Sequence, residues 1–196
     1  MDTLRDRMLI VNALRAAKAP ITLVDLAGGL RVTSAVNDYP MPLEYARMLM
    51  KELQASGHAE KVGRHSPARW AFTWGKRPPL PEGYLYRKVH GQYGVHDFVD
   101  TPLWSLSGGR LTLCLDKEAD PPMVVAGGHL WHRNMSEAQV RELHRRAEAA
   151  GFRVESKKHD FGGWSGRVQA QVADAPKLAA WVAKEEEGAL TSWPPR

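Results

Sequence analysis

The chain has 196 residues, 43% hydrophobic and 25% charged, with a mean hydropathy of −0.41; this is the profile of a globular protein with room for a substantial core, between one and two typical domains in size. Seven Trp, five Tyr and four Phe on an ordinary aliphatic background exclude a disordered tail. The formal charge of +5 is unevenly spread: residues 1–77 hold 12 Lys and Arg against 7 Asp and Glu, whereas residues 78–196 hold 15 against 15, so the whole basic excess lies in the first part.

The opening MDTLRDRMLIVNALRAAK interrupts its apolar residues with Arg, Asp and Asn at helical spacing. That pattern is neither a signal peptide nor a membrane span, so a cytoplasmic location without a membrane partner is expected. A single cysteine, Cys114, excludes an internal disulfide framework and a Cys-based zinc ribbon.

Leu4, Met8, Val11 and Leu14 predict a first helix over residues 2–18, halted by Pro20. Thr22 and Asp25 form a T-x-x-D start for a short second helix that Gly28 and Gly29 end. Residues 31–39 read as irregular. In PMPLEYARMLMKELQASGH, Pro42 marks a helix start, Leu43, Ala46, Leu49 or Met50, and Leu53 share one face, and Gly57 marks the stop. Residues 58–62 and 69–74 are extended segments joined by the turn-forming GRHSP. Gly75 to Gly83, with three prolines and two glycines, reads as a linker. The domains expected are therefore residues 1–77, a linker at 78–83, and residues 84–196.

Beyond the linker, Leu111, Leu113 and Leu115 alternate with polar neighbours as a strand does, and Met123 to Ala126 is a second, short strand. Ser136 and Gln139 make an S-x-x-Q capping box for a helix with Val140, Leu143 and Ala147 on one face and Gly151 at its end. Residues 152–156 and 167–173 read as strands, and Pro176 opens a last helix with Leu178, Trp181 and Val182 inward. The expected order is strand, strand, helix, strand, strand, helix, an α+β domain with a mainly antiparallel sheet. The segments HDFVDTPLWSLSGGRLTLCLD and HDFGGWSGRVQAQVAD share HDF, WS and GR, a weak echo of a duplicated sheet unit.

The N-terminal order of three helices and a hairpin, carried by ITLVDLAGGL, PLEYARMLMKELQASGHAEKV and the basic hairpin ending in RWAFTW, resembles the winged helix-turn-helix superfamily of DNA-binding domains over residues 4–74. The segment from Arg31 to Pro40 is longer than the tight turn common there. The resemblance implies that the third helix enters the major groove of duplex DNA. Its outward residues would be Glu44, Arg47, Met48, Lys51 and Gln54, with Arg47 bonding a guanine edge and Lys51 a phosphate. The stretch from Lys61 to Arg77 has five basic residues and no acid, and Lys61, Arg64, His65 and Arg69 would contact phosphates from the wing. Trp70, Phe72 and Trp74 share a strand face and read as core, a stacking platform for single strands being the sharper alternative.

Leads toward catalysis are thin. His129 and His132 have no carboxylate or cysteine close in sequence to complete a zinc set. His96 with Asp97 and His159 with Asp160 are adjacent on extended chain and so point apart. Cys114 lacks a matched histidine, and LSGGR and FGGWSGR match no phosphate-binding fingerprint. The acidic run from Glu185 to Glu187 reads as a fraying helix end, and Trp131, Trp164 and Trp193 as core plugs or interface anchors. Sequence-specific duplex DNA binding in transcriptional control is thus expected, with no cofactor, no metal and no enzymatic reaction. A homodimer, or a protein partner on the C-terminal domain, follows from how such regulators work. A protein-docking module serving a nucleoprotein machine and a nucleic-acid-processing enzyme are the alternatives.

Overall fold

The computed structural model describes residues 3–33, 37–64, 66–92, 94–105, 109–126, 136–160 and 162–192, the side chains of the last six excepted. It is an α+β protein whose described residues include five α-helices and antiparallel sheets. No helix among them is long and apolar enough to cross a membrane. The chain divides into two compact units, residues 1–78 with 85–90, and residues 79–84 with 91–196.

The first unit begins with α1 (Thr3–Ala16), which buries Leu4, Ile10, Val11 and Leu14. A two-residue β1 (Ile21–Thr22) leads into α2 (Leu23–Gly29), where the Thr22 hydroxyl accepts the Asp25 N–H as the T-x-x-D reading requires. Gly28 and Gly29 form the last turn of this helix instead of lying beyond it. The stretch read as irregular is instead a short hairpin, β2 (Arg31–Thr33) against β3 (Asp38–Pro40). The Met41 N–H donates to the Leu30 carbonyl at 2.9 Å and closes its base, so the long connection satisfies its own backbone groups.

Next, α3 (Leu43–Ala55) buries Ala46, Leu49, Met50 and Leu53. Leu43, expected on that face, is 37% exposed, because at the first helical position no preceding turn covers it. Gly57, at φ +71°, reverses the chain after α3. The strands β4 (Ala59–Val62) and β5 (Arg69–Phe72) then pair antiparallel, and β1 adds to β5 to give the order β1-β5-β4. A single core joins α1, α2, α3, Val32, Ala59 and Trp70 with Leu85, the first residue of β6 (Leu85–Gly91).

His58 explains why that later strand belongs here. Its imidazole is fully buried, Nε2 accepts the Tyr86 N–H at 2.8 Å, and its ring stacks on Tyr86 at 5.6 Å. The Tyr86 hydroxyl donates to the Pro78 carbonyl at 2.8 Å.

In the second unit β7 (Gly94–Trp104), β8 (Arg110–Asp116), β9 (Met123–Ala126), β10 (Arg153–Lys158) and β11 (Trp164–Gln171) form an antiparallel array in the order β10-β11-β9-β8-β7. β6 and β7 are absent from the expected order of elements. β7 buries Asp97, Asp100 and Thr101 and carries Pro102, so it lacks the clean alternation that marks β8, where Leu111, Leu113 and Leu115 are buried and the residues between them half-exposed. α4 (Glu137–Ala149) starts at the expected box, with the Ser136 hydroxyl accepting the Gln139 N–H and the Gln139 side chain accepting the Ser136 N–H. It packs on β10 and β11, and α5 (Ala175–Ser192) on β7, β8, β9 and β11.

The two copies of the sequence echo share a strand after GR, β8 and β11, but differ at their start. The first HDF begins within β7, whereas His159 and Asp160 lie in the turn between β10 and β11. The acidic run is not a frayed terminus either: α5 continues to Ser192, and Glu185 pairs with Arg146 of α4 at 2.9 Å.

Candidate nucleic-acid interface

The outward side of α3 begins at Pro42, whose position as N-cap offers no side-chain acceptor to the first helical amides. Glu44 and Arg47, one turn apart, are ion-paired, with their side chains 79% and 47% exposed. Exposed pairs of this kind are worth at most about 1 kcal/mol, so the guanidinium is available to another partner at small cost. Met48 is 44% exposed on the same helix.

A groove of about 370 Å³ runs between α3, the start of α2 and the β4–β5 hairpin, and Arg47, Lys51 and Lys61 all line it. Trp70 contributes to its floor and Val24 and Leu43 to its walls. The Lys61 Nζ stands 5.4 Å from the Trp70 ring centroid, a cation–π arrangement that holds the ammonium over the groove. The reason is register: Lys61 and Trp70 are direct cross-strand partners and so share a face of the hairpin.

The other hairpin cations lie elsewhere. Arg69 pairs with Val62 on one side and Thr22 on the other, and alternation puts it on the face opposite Lys61. Arg64 is exposed in the turn after Gly63. His65 lies outside the described residues. Arg77, the last cation of the basic run, turns inward, donating to the Ser56 carbonyl at 2.8 Å with its guanidinium 4.9 Å from the Tyr86 ring. Phe72 and Trp74 are not an open stacking platform, because they contact each other edge to face at 5.1 Å and Arg15 lies over both rings. The exposed apolar Val24 was not singled out in the sequence and Leu43 was expected to face inward; both lie in the first turn of a helix, where the burial period has only one side to act on.

The first of the catalytic pairs, on β7, separates as alternation requires. His96 is exposed while Asp97 is buried and pairs with Lys117 at 3.3 Å. The His159 ring lies 2.9 Å from the Ser165 hydroxyl. Cys114 is half-buried, and burial pushes its thiol up from the ordinary value, away from thiolate character. Gly162 and Gly163, both at positive φ, lie in the turn before β11, and the WSGR that follows them opens that strand. Among the described residues no three or more His, Cys, Asp or Glu side chains are grouped as metal ligands would be. His129, His132, Trp131 and Trp193 lie outside the described residues, as does most of LSGGR.

No family model, curated protein or solved structure matches the chain.

Proposed function

We propose that the first unit is a winged helix that binds duplex DNA, with α3 in the major groove and the β4–β5 hairpin as the wing, and that the protein acts in transcriptional control. The observation that carries this reading is the convergence of Arg47 and Lys51 from α3 with Lys61 from the hairpin on one groove. Charge of one sign from a helix and a hairpin matches a partner with regularly spaced phosphates. Arg47 reads a base edge, Glu44 accepts from a cytosine amine, Lys51 and Lys61 meet phosphates from the groove, and Arg64 and Arg69 meet them separately, from the tip and the opposite face of the wing. His65 belongs to the same wing contact. The second unit, with no basic excess, serves dimerisation, ligand sensing or partner contact.

Fluorescence anisotropy of the full chain on preferred and random duplexes over a range of salt tests this. Arg64→Ala with Arg69→Ala should weaken both duplexes alike and lower the salt slope by about two. Arg47→Ala should cost about 1 to 3 kcal/mol on the preferred duplex and much less on the random one. An unchanged slope together with an unchanged preference would reject the reading. A docking module for a protein partner would then take its place, favoured by Val24, 61% exposed, and Leu43, which line the same groove.

A further inference from the structure

A second cavity, of about 530 Å³, opens in the first unit between the N-terminal part of α1, the second half of α3 and β6. Arg7, Lys51, Arg87 and Lys88 line it together with His90, and among its described lining residues Glu52 is the single acid. Arg7 is unusual among them. It is 3% exposed, its Nε donates to the Thr3 carbonyl at 3.2 Å, and it faces the half-exposed Glu52 at 3.9 Å. A guanidinium withdrawn from water acts on the cavity through its charge, which Glu52 offsets in part.

Four cations from three separate elements, lining one concave space, suit an anion that carries several charges close together. Phosphate groups do so, each bringing up to two charges and three acceptor oxygens. A cavity of this volume falls in the range that encloses a small molecule, about 300 to 1,000 Å³, and so has room for more than one phosphate. We infer that this cavity binds a run of neighbouring phosphate groups, supplied by a polyphosphorylated small molecule or by the backbone of a bound duplex. Lys51 lines this cavity and the α3 groove alike, so a free ligand here competes with the groove for one ammonium. The inference stands without the DNA reading, because a probe that is not nucleic acid tests it.

The probe is sodium tripolyphosphate, titrated calorimetrically into the full chain at fixed ionic strength, with sodium sulfate as the control anion. One equivalent should bind, and Arg87→Gln with Lys88→Gln should weaken it about tenfold or more. Lys51→Gln, on an exposed helix position where folding is not at risk, should weaken it in the same direction. Arg141→Ala with Arg145→Ala, exposed cations of α4, should leave binding within about twofold. The source of the phosphates is read from the Arg87/Lys88 variant on duplex DNA without the probe. A salt slope lower by about two identifies the backbone, and an unchanged slope identifies a free ligand. Absence of tripolyphosphate binding, or binding that both cavity variants leave within twofold, overturns the inference whatever the duplex measurement gives. Tripolyphosphate binding by a chain that ignores duplex DNA would sink the winged-helix proposal alone.

Discussion

Lowering the pH from 7 to 4 is expected to destabilise the first unit by about 3 kcal/mol through one residue, His58. Burial is the main cause of its depressed pKa, and the positive guanidiniums of Arg77 and Arg7, with Arg15 behind them, hold it down further, to about 4 from an ordinary 6.5. The unfolded chain therefore takes up this proton near pH 6.5 and the folded chain only near pH 4, so the unfolded state binds more protons between the two. Stability contributed by the neutral ring is full above pH 6.5, falls through the window, and is gone below pH 4. Protonation would also abolish the acceptor at Nε2 for the Tyr86 N–H, loosening the strand that carries Arg87 and Lys88. Urea unfolding followed by tryptophan fluorescence at pH 7, 5.5 and 4 measures the effect. His58→Gln retains an acceptor without titrating, and should be less stable at pH 7 yet lose this component of the acid response. A variant whose profile runs parallel to that of the unaltered chain would remove His58 from the explanation.

Trp70→Ala is expected to cost about 3 to 5 kcal/mol. Trp70 is 8% exposed, packs in the core of the first unit, and sits at the middle of the three-stranded sheet with Ile21 on one side and Lys61 on the other. Its loss opens a cavity under α3 and removes the ring beneath the Lys61 ammonium. Trp70→Phe keeps an aromatic plug and should lose well under half as much. Chemical denaturation followed by circular dichroism separates the two, and a loss below about 1 kcal/mol for Trp70→Ala would mean that the sheet is anchored elsewhere.

Where backbone and side chain answer to neighbours a few residues away, the elements were legible. Thr22 and Ser136 cap the helices that follow them, Leu111, Leu113 and Leu115 alternate inward, and Ala46, Leu49 and Leu53 share the buried stripe of α3. β7 was not legible, because its buried Thr101 depends on a remote partner: the hydroxyl donates to the Leu111 carbonyl across the sheet at 2.9 Å. The β2–β3 hairpin was missed for a related reason, since three-residue strands are too short to show a period and are held by their pairing.

Charge divides in the same way. From sequence alone the basic excess could be assigned to the first 77 residues, and Arg47 and Lys51 to the outward face of α3. Only the tertiary structure separated the run from Lys61 to Arg77, sending Lys61 over Trp70 into the groove, Arg69 to the opposite face of the hairpin, and Arg77 inward onto Tyr86. It also brought Arg7, Lys51, Arg87 and Lys88, from three distant segments, to one cavity. Helical and strand periods decide which side of its own element a residue faces, but which side chains of different elements meet is set by cross-strand register and core packing, where one residue of slip changes every partner.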